Sequence, residues 1–260
     1  MTMGNVAAGR REFDGKVVLV TGARRGIGAA TATAFAQRGA QVVLAARDRS
    51  ALDAVAASIR SEGGAAEIVP FDLADPASVQ RLGASIDARF GRLDVAINNA
   101  GEGFPPTPLA EVPDQAFEQV FRVSVTGTFL ALKQEIPRIE RSGGGAIVNI
   151  ASTAGVSAFA GGGPYVAAKH AILGLTKAAA LDYAQRGVRV NAVAPGPIET
   201  HRLQSAPEEY RQRAREAVPM RRLGAPSEVA EAVVWLSGGS SRFVTGATLL
   251  LDGGRMAGFA

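Results

Sequence analysis

Three side chains in the middle of this 260-residue chain, Ser152, Tyr165 and Lys169, could together move a proton to or from an oxygen. Tyr165 and Lys169 are four residues apart, at the opening of an Ala-rich run that continues to about residue 186. On a helix that spacing puts both side chains on one face, with Cβ atoms roughly 5–6 Å apart. A free phenol keeps its proton up to about pH 10. An ammonium group alongside favours the phenolate and makes a tyrosine useful as acid and base nearer neutrality. Ser152 follows the apolar, strand-like run 146–150, so its hydroxyl could hydrogen-bond a carbonyl oxygen held beside the phenol. The set suits proton transfer to or from an alcohol or carbonyl. A Tyr-x-x-x-Lys pair is equally an ordinary feature of an amphipathic helix, so the surrounding elements have to decide.

Residues 16–20 (KVVLV) form a short β-branched run of the kind buried on both faces in a parallel sheet. They lead into TGARRGIG at 21–28 and then into a helical stretch to about residue 38. Gly22, Gly26 and Gly28 let the backbone turn tightly and approach a pyrophosphate, with Arg24, Arg25 and Ile27 between them. The following helix N-terminus offers N–H groups and a positive dipole end to that anion. The next strand, 41–45, ends at Ala46-Arg47-Asp48. In dinucleotide folds an acidic residue at this strand end binds the ribose 2′-hydroxyl. Here Ala46 takes that place and Arg47 follows; a guanidinium suits a 2′-phosphate, with Arg25 within reach. NADP(H) is therefore expected in preference to NAD(H), which the same fold can also hold.

The alternation continues. A helix over 50–62 precedes a strand over 67–71 that leads to Asp72-Leu73, and Asp75-Pro76 opens another helix. A strand over 93–97 ends in Asn98-Asn99-Ala100-Gly101, and a long helix is expected over 114–141. A strand over 188–193 ends at Pro195-Gly196-Pro197, and a last one spans 248–251. Strands alternating with helices imply right-handed crossovers and a parallel sheet covered by helices on both faces. The expected fold is α/β, a single Rossmann-like doubly wound domain over 14–260 behind a polar, flexible lead-in of residues 1–13.

Composition narrows the function classes. Hydrophobic residues make up 47% and charged residues 20%, as in soluble globular chains. No apolar run approaches the ~20 residues of a membrane span, and no signal peptide is recognised. With no cysteine, disulfides, thiolate metal sites and thiol catalysis are excluded; no metal is expected, and a cytoplasmic setting fits. The net charge of +4 and pI near 9.8 raise the question of nucleic acid. Basic residues are scattered, however, and aromatics are only 6%, so an anionic small-molecule site explains the charge as well. Neither nucleic acid nor a membrane is expected as partner.

Together these residues resemble the short-chain dehydrogenase/reductase family over roughly 14–254. The matching motifs are TGARRGIG at 21–28, Asp72, NNAG at 98–101, Ser152 with YVAAK at 165–169, and NAVAPGPIET at 191–200. The resemblance implies a seven-stranded sheet and hydride transfer between a nicotinamide and a secondary alcohol or ketone. It casts Tyr165 as general acid/base, Ser152 as the hydroxyl orienting the substrate oxygen, and Lys169 as a ligand of the nicotinamide ribose. It also implies that Asp72 and Leu73 hold the adenine and that Asn99, Ala100 and Gly101 line the cofactor cleft. Pro195 and Gly196 would belong to the cofactor-binding turn, and Ile198 and Thr200 after them would meet the carboxamide. A homotetramer is implied too, with the small-residue helix 164–185 in an interface.

One position departs from the family. Where it carries an asparagine three residues before a helix glycine (N-x-x-G-x-F), this chain has Ser124-Val-Thr-Gly127-Thr-Phe129. The family asparagine helps hold a helix distortion and a water near the lysine, so Ser124 is a candidate catalytic residue with an altered role. It is also the one feature favouring a catalytically idle, cofactor-binding homologue that acts as sensor or assembly partner. Substrate walls are expected at 102–104, 155–163 and 199–220, with Phe104 and Phe159 giving apolar surface. His201 and the arginines of 199–222 could meet an anionic acyl carrier, as for a 3-oxoacyl thioester, although Glu199, Glu208, Glu209 and Glu216 oppose it. His170 is expected to face packing or solvent.

Overall fold

The computed structural model describes residues 11–258. Seven short strands, each an apolar run, form one sheet: β1 (Val17–Thr21), β2 (Gln41–Ala46), β3 (Ala65–Pro70), β4 (Val95–Asn98), β5 (Gly145–Ile150), β6 (Val188–Pro195) and β7 (Thr248–Leu251). Their order is β3-β2-β1-β4-β5-β6-β7, and every neighbouring pair is parallel. The order reverses between β1 and β4, which opens a crevice beyond their carboxyl ends, where ligands bind in such sheets.

Alternation along each strand feeds two cores. Val18 and Val20 pack with Phe35, Leu52 and Leu236, from α1 (Gly26–Gln37), α2 (Arg49–Ser61) and α9 (Pro226–Ser237). Val17 and Leu19 pack on the other face with Leu82, Leu132 and Ala179, from α3 (Pro76–Phe90), α5 (Gly127–Arg141) and α6 (Gly163–Tyr183). Polar caps set where helices begin. Asp48 accepts from Ala51 N–H at 3.1 Å at the head of α2, and Asp75 from Ala77 N–H at 2.9 Å at the head of α3. Among the described residues there are also three short α-helices, α4 (Asp114–Phe121), α7 (His201–Gln204) and α8 (Glu208–Glu216).

Several sequence expectations change, among them the strands expected at 93–97 and 188–193, which are Val95–Asn98 and Val188–Pro195. Residues 1–10 of the lead-in lie outside the described residues, but Phe13 does not fray: it is buried edge-on to Phe35, with ring centroids 4.9 Å apart. The strand expected at 67–71 runs from Ala65 to Pro70, because its register with β2 pairs Gln41 with Ala65 and Ala46 with Pro70. The long helix 114–141 is interrupted by a π-helical turn at Arg122–Thr126, where the Thr128 hydroxyl donates to Ser124 O at 2.7 Å. Such turns bulge a helix locally and recur at functional sites.

Candidate active site

The crevice begins with two turns tied to each other. Thr21 Oγ1 donates to Ile97 O and accepts the N–H groups of Asn99 and Ala100, each at 3.1 Å. Asn99 Nδ2 returns the contact, donating to Thr21 O at 3.0 Å and Gly22 O at 3.2 Å. Backbone packing leaves no room for side chains here. Gly22 has φ +65°, and a Cβ on it would lie 2.7 Å from Asn99 Nδ2; one on Gly28 would lie 2.4 Å from Gly22 O. No side chain caps α1, so its first-turn N–H groups lack a side-chain partner, as a helix start that receives an anion does. Glycine turn, uncapped helix and topological switch point fit a dinucleotide.

At the end of β2, Ala46 is buried and Arg47 exposed, with Arg25 exposed across the turn. Sequence reading missed Asp48, which caps α2 and lies 3.7 Å from Arg24 Nη1. The Ala51 N–H, aided by Ser50 and Arg24, holds the Asp48 carboxyl below its ordinary value. Asp72 sits at the end of β3, half-buried, accepting from Ala74 N–H at 2.9 Å, while its own N–H donates to Ser78 Oγ at 3.0 Å; Leu73 is buried beside it.

Ser152, Tyr165 and Lys169 converge where β5 ends. Ser152 Oγ accepts from Ala154 N–H at 3.1 Å, which leaves the hydroxyl hydrogen to donate elsewhere. Pro164 opens α6, Tyr165 follows in its first turn, and Lys169 stands one turn on. Lys169 is 7% exposed; its Nζ donates to Ile150 O at 2.9 Å and lies 5.7 Å from the Tyr165 ring centroid. Ser124, in the π turn, is buried, and its hydroxyl accepts the Glu102 N–H at 3.4 Å. Gly101 lies between the two: the Cβ position on it is 3.9 Å from both Lys169 Nζ and Ser124 Oγ.

The far wall follows β6. Pro195 is buried at the strand end, and Gly196 N–H donates to Leu251 O at 3.0 Å. Ile198 pairs with Gly224, and the Thr200 methyl lies 3.4 Å from the Cβ position of Gly26, at the glycine turn. Around the phenol, Phe104 is buried in a cluster with Val120, Ala168 and Tyr165. Phe159 is 45% exposed, its ring 6.4 Å from that of Tyr165. Thr107 N–H donates to Gly161 O at 3.0 Å, joining the two loops that carry these rings.

Other expectations fall outside this constellation. His170 is exposed, its Nδ1 2.9 Å from Val166 O, and His201 is exposed beside Ser205. The α8 arginines pair within their own helix, Arg211 and Arg215 with Glu208 and Arg213 with Glu209. They do not gather as an anion site. Among the described residues, no three His, Cys, Asp or Glu side chains cluster as a metal site.

The model of the family described as enoyl-(acyl carrier protein) reductase matches residues 22–255. A cis-4-hydroxycyclohexanecarboxylate dehydrogenase of Sinomonas cyclohexanicum is 41% identical over 94% of this chain and 98% of its own. A 2,5-dichloro-2,5-cyclohexadiene-1,4-diol dehydrogenase of Sphingobium indicum is 42% identical over the same shares. An A-factor type gamma-butyrolactone 1′-reductase of Streptomyces virginiae is 39% identical over 92% of this chain and 95% of its own. With its seven-stranded parallel sheet and these relatives, the chain belongs to the short-chain dehydrogenase/reductase family, oxidoreductases working between CH–OH and C=O groups with a nicotinamide cofactor.

Proposed function

We propose that the chain is an NADP(H)-dependent enzyme that interconverts a ring-borne secondary alcohol and its ketone, with Tyr165 as general acid and base. The observation that carries this reading is the Lys169 ammonium, buried at the end of β5 and 5.7 Å from the Tyr165 ring. In reduction the Tyr165 hydroxyl gives its proton to the carbonyl oxygen, to which Ser152 also donates. In oxidation the phenolate takes the alcohol proton. The nicotinamide supplies or accepts the hydride. Gly22, Gly26 and Gly28 with the head of α1 hold the pyrophosphate, Asp72 and Leu73 the adenine, and Asn99, Ala100 and Gly101 the floor of the cleft. Ile198 and Thr200 bind the carboxamide, and Arg47, with Arg24 and Arg25, takes the 2′-phosphate.

Ring substrates are favoured by the relatives named for cyclohexane and cyclohexadiene alcohols, and by the apolar walls Phe104 and Phe159. The self-paired arginines of α8 weigh against a carrier-bound 3-oxoacyl thioester. NADPH absorbance over a panel of cyclic ketones, 3-oxoacyl thioesters and open-chain ketones tests the reading. Turnover of cyclic ketones above the others is expected; a chain that binds NADPH but reduces nothing is an idle homologue.

A cytoplasmic homotetramer completes the reading. Among the described residues no helix is long and apolar enough to cross a membrane. On α6, Ala168, Ala179 and Ala180 are consumed by the subunit's own packing, whereas Gly174, Ala178 and Leu181 are exposed, the last at 83%. Trp235, Phe243 and Leu250 are exposed near β7. Two such apolar faces suit two interfaces, and a monomeric mass by light scattering would refute them.

A further inference from the structure

Beneath the crevice runs a buried polar chain that the reaction does not use. Asn98 and Asn149 are register partners on β4 and β5. Asn98 Nδ2 donates one hydrogen to Asn149 Oδ1 at 3.0 Å and the other to Glu135 Oε2 at 2.9 Å. Asn149 Nδ2 donates to Thr176 Oγ1 at 2.9 Å, and Thr176 donates to Ile172 O at 2.8 Å. Four elements, α5, β4, β5 and α6, are thus joined by side chains that are all at most 6% exposed. Each link touches the site through its neighbour. Asn98 precedes Asn99, which holds Gly22 O; Asn149 precedes Ile150, whose carbonyl holds Lys169 Nζ; Thr176 is two turns beyond Lys169 on α6.

Glu135 is the titratable member, and its second oxygen has no hydrogen-bond partner. The charge that bears on it is Arg138, one turn along α5. That guanidinium is turned to Asp87 of α3 at 2.7 and 3.1 Å and to the carbonyls of Gly83 and Gln134. From α3, β1 and the strand ends come only apolar groups, Val79, Leu82, Ile86, Leu19 and Phe71; from β4, β5 and α6 come the neutral Asn98, Asn149 and Thr176. A carboxylate here would bury a charge with one N–H donor and a cation already paired with Asp87.

We propose that Glu135 is a positioning residue whose proton occupancy sets, through Asn98, Asn149 and Thr176, how firmly β4, β5 and α6 hold the glycine turn and Lys169. The neutral carboxyl fits this layer, and ionisation loosens it. Burial pushes the Glu135 carboxyl up to about 7 from an ordinary 4.5, against the opposing pull of Asn98 and Arg138. The folded chain therefore binds this proton more tightly than the unfolded chain. The stability it contributes is fully present below the ordinary value and lost as pH rises through about 7.

The test compares the full chain with Glu135→Gln, which keeps a neutral acceptor for Asn98 and cannot ionise. Unfolding temperature and the NADPH dissociation constant are measured at pH 6 and pH 8.5. Wild type is expected to lose roughly 3–5 °C more than the variant over that interval. Its NADPH affinity should weaken roughly two- to tenfold more than the variant's, the cofactor's own phosphate titration being common to both. Should Gln fail to fold, Glu135→Met, uncharged and of similar volume, takes its place. Parallel temperature profiles for wild type and variant overturn the titration; a shared temperature difference without any difference in NADPH affinity overturns the positioning role. A wild-type unfolding temperature that does not fall between pH 6 and 8.5 overturns the proposal without a variant.

Discussion

The two sides of the crevice are built differently. The side proposed for the dinucleotide is backbone against backbone: Gly22 and Gly28 sit where no Cβ fits, and Asn99 and Thr21 lock two turns together. The side proposed for the substrate is made of rings on loops and charges on a short helix, with Phe159 45% exposed and the α8 arginines spent on their own glutamates. A surface made of close backbone approach tolerates few sequences and serves a constant ligand. One made of exposed side chains can change without disturbing the sheet, which suits a part that varies with substrate.

The largest effect should come from the residue on the boundary between the sides. Tyr165→Phe keeps the ring and its packing against Phe104 but removes the proton, so turnover should fall by about 10²–10⁴-fold with NADPH affinity nearly unchanged. Retention of more than about a tenth of wild-type turnover on a good ketone would contradict the acid/base role.

Next comes the rigidity of the dinucleotide side. On Gly28→Ala the new methyl would lie 2.4 Å from Gly22 O, so the turn must shift. Overpacking of about 1–3 kcal/mol corresponds to roughly five- to a hundredfold in affinity. Val156→Ala, on the exposed loop across the crevice, should leave NADPH affinity unchanged. Calorimetry on both variants decides, and equal affinities would erase the distinction between the two sides.

Much of this division was legible in the sequence, and the larger part of what was not legible is long-range. The β1 run, the glycine turn and the Tyr165–Lys169 spacing are local patterns, so residue type and period locate them. The Glu135 chain is not local: Asn98 meets Glu135 across 37 residues and Asn149 across 51. Nothing in the spacing of one Glu on an amphipathic helix announces such partners. Phe13 reads as lead-in because its partner is the ring of Phe35 on α1. The π turn is hidden because helical periodicity runs on either side of it, and what marks it is a backbone bond, Gly127 N–H donating to Arg122 O five residues back. Asp48 carries two roles that its type alone does not separate, a cap on α2 and a partner of Arg24 across the glycine turn.

Cofactor choice gives a smaller effect. Arg47 and Arg25 are exposed, while Arg24 is shared with Asp48. A hydrogen bond to a charged group contributes about 1.5–3 kcal/mol when well formed, so Arg47→Ala should reduce the preference for NADPH over NADH by about tenfold, up to a hundredfold. Asp48→Asn should raise it by freeing Arg24. Dissociation constants of both cofactors for the three proteins check this; a wild type without preference, or an unchanged preference in Arg47→Ala, would refute it.

The smallest effect is expected at Ser124, where chain and family part. The distortion that an asparagine helps hold in the family is present here with serine, as a π turn at Arg122–Thr126. It is maintained by backbone geometry and by Thr128 donating to Ser124 O at 2.7 Å, contacts that do not involve the Ser124 hydroxyl. That hydroxyl instead accepts the Glu102 N–H at a long 3.4 Å, so it contributes little to the turn. The side chain is 1% exposed, and an asparagine must find room for its larger amide. A second donor could order a water near Lys169 better than serine does. The two changes oppose each other, and neither touches the hydroxyl of Tyr165, the proposed proton donor. Ser124→Asn should therefore alter turnover by less than about tenfold, upward if the water dominates. A gain of about a hundredfold or more, the scale of a restored acid/base path, in a wild type that reduces nothing would mean that serine had disabled the relay.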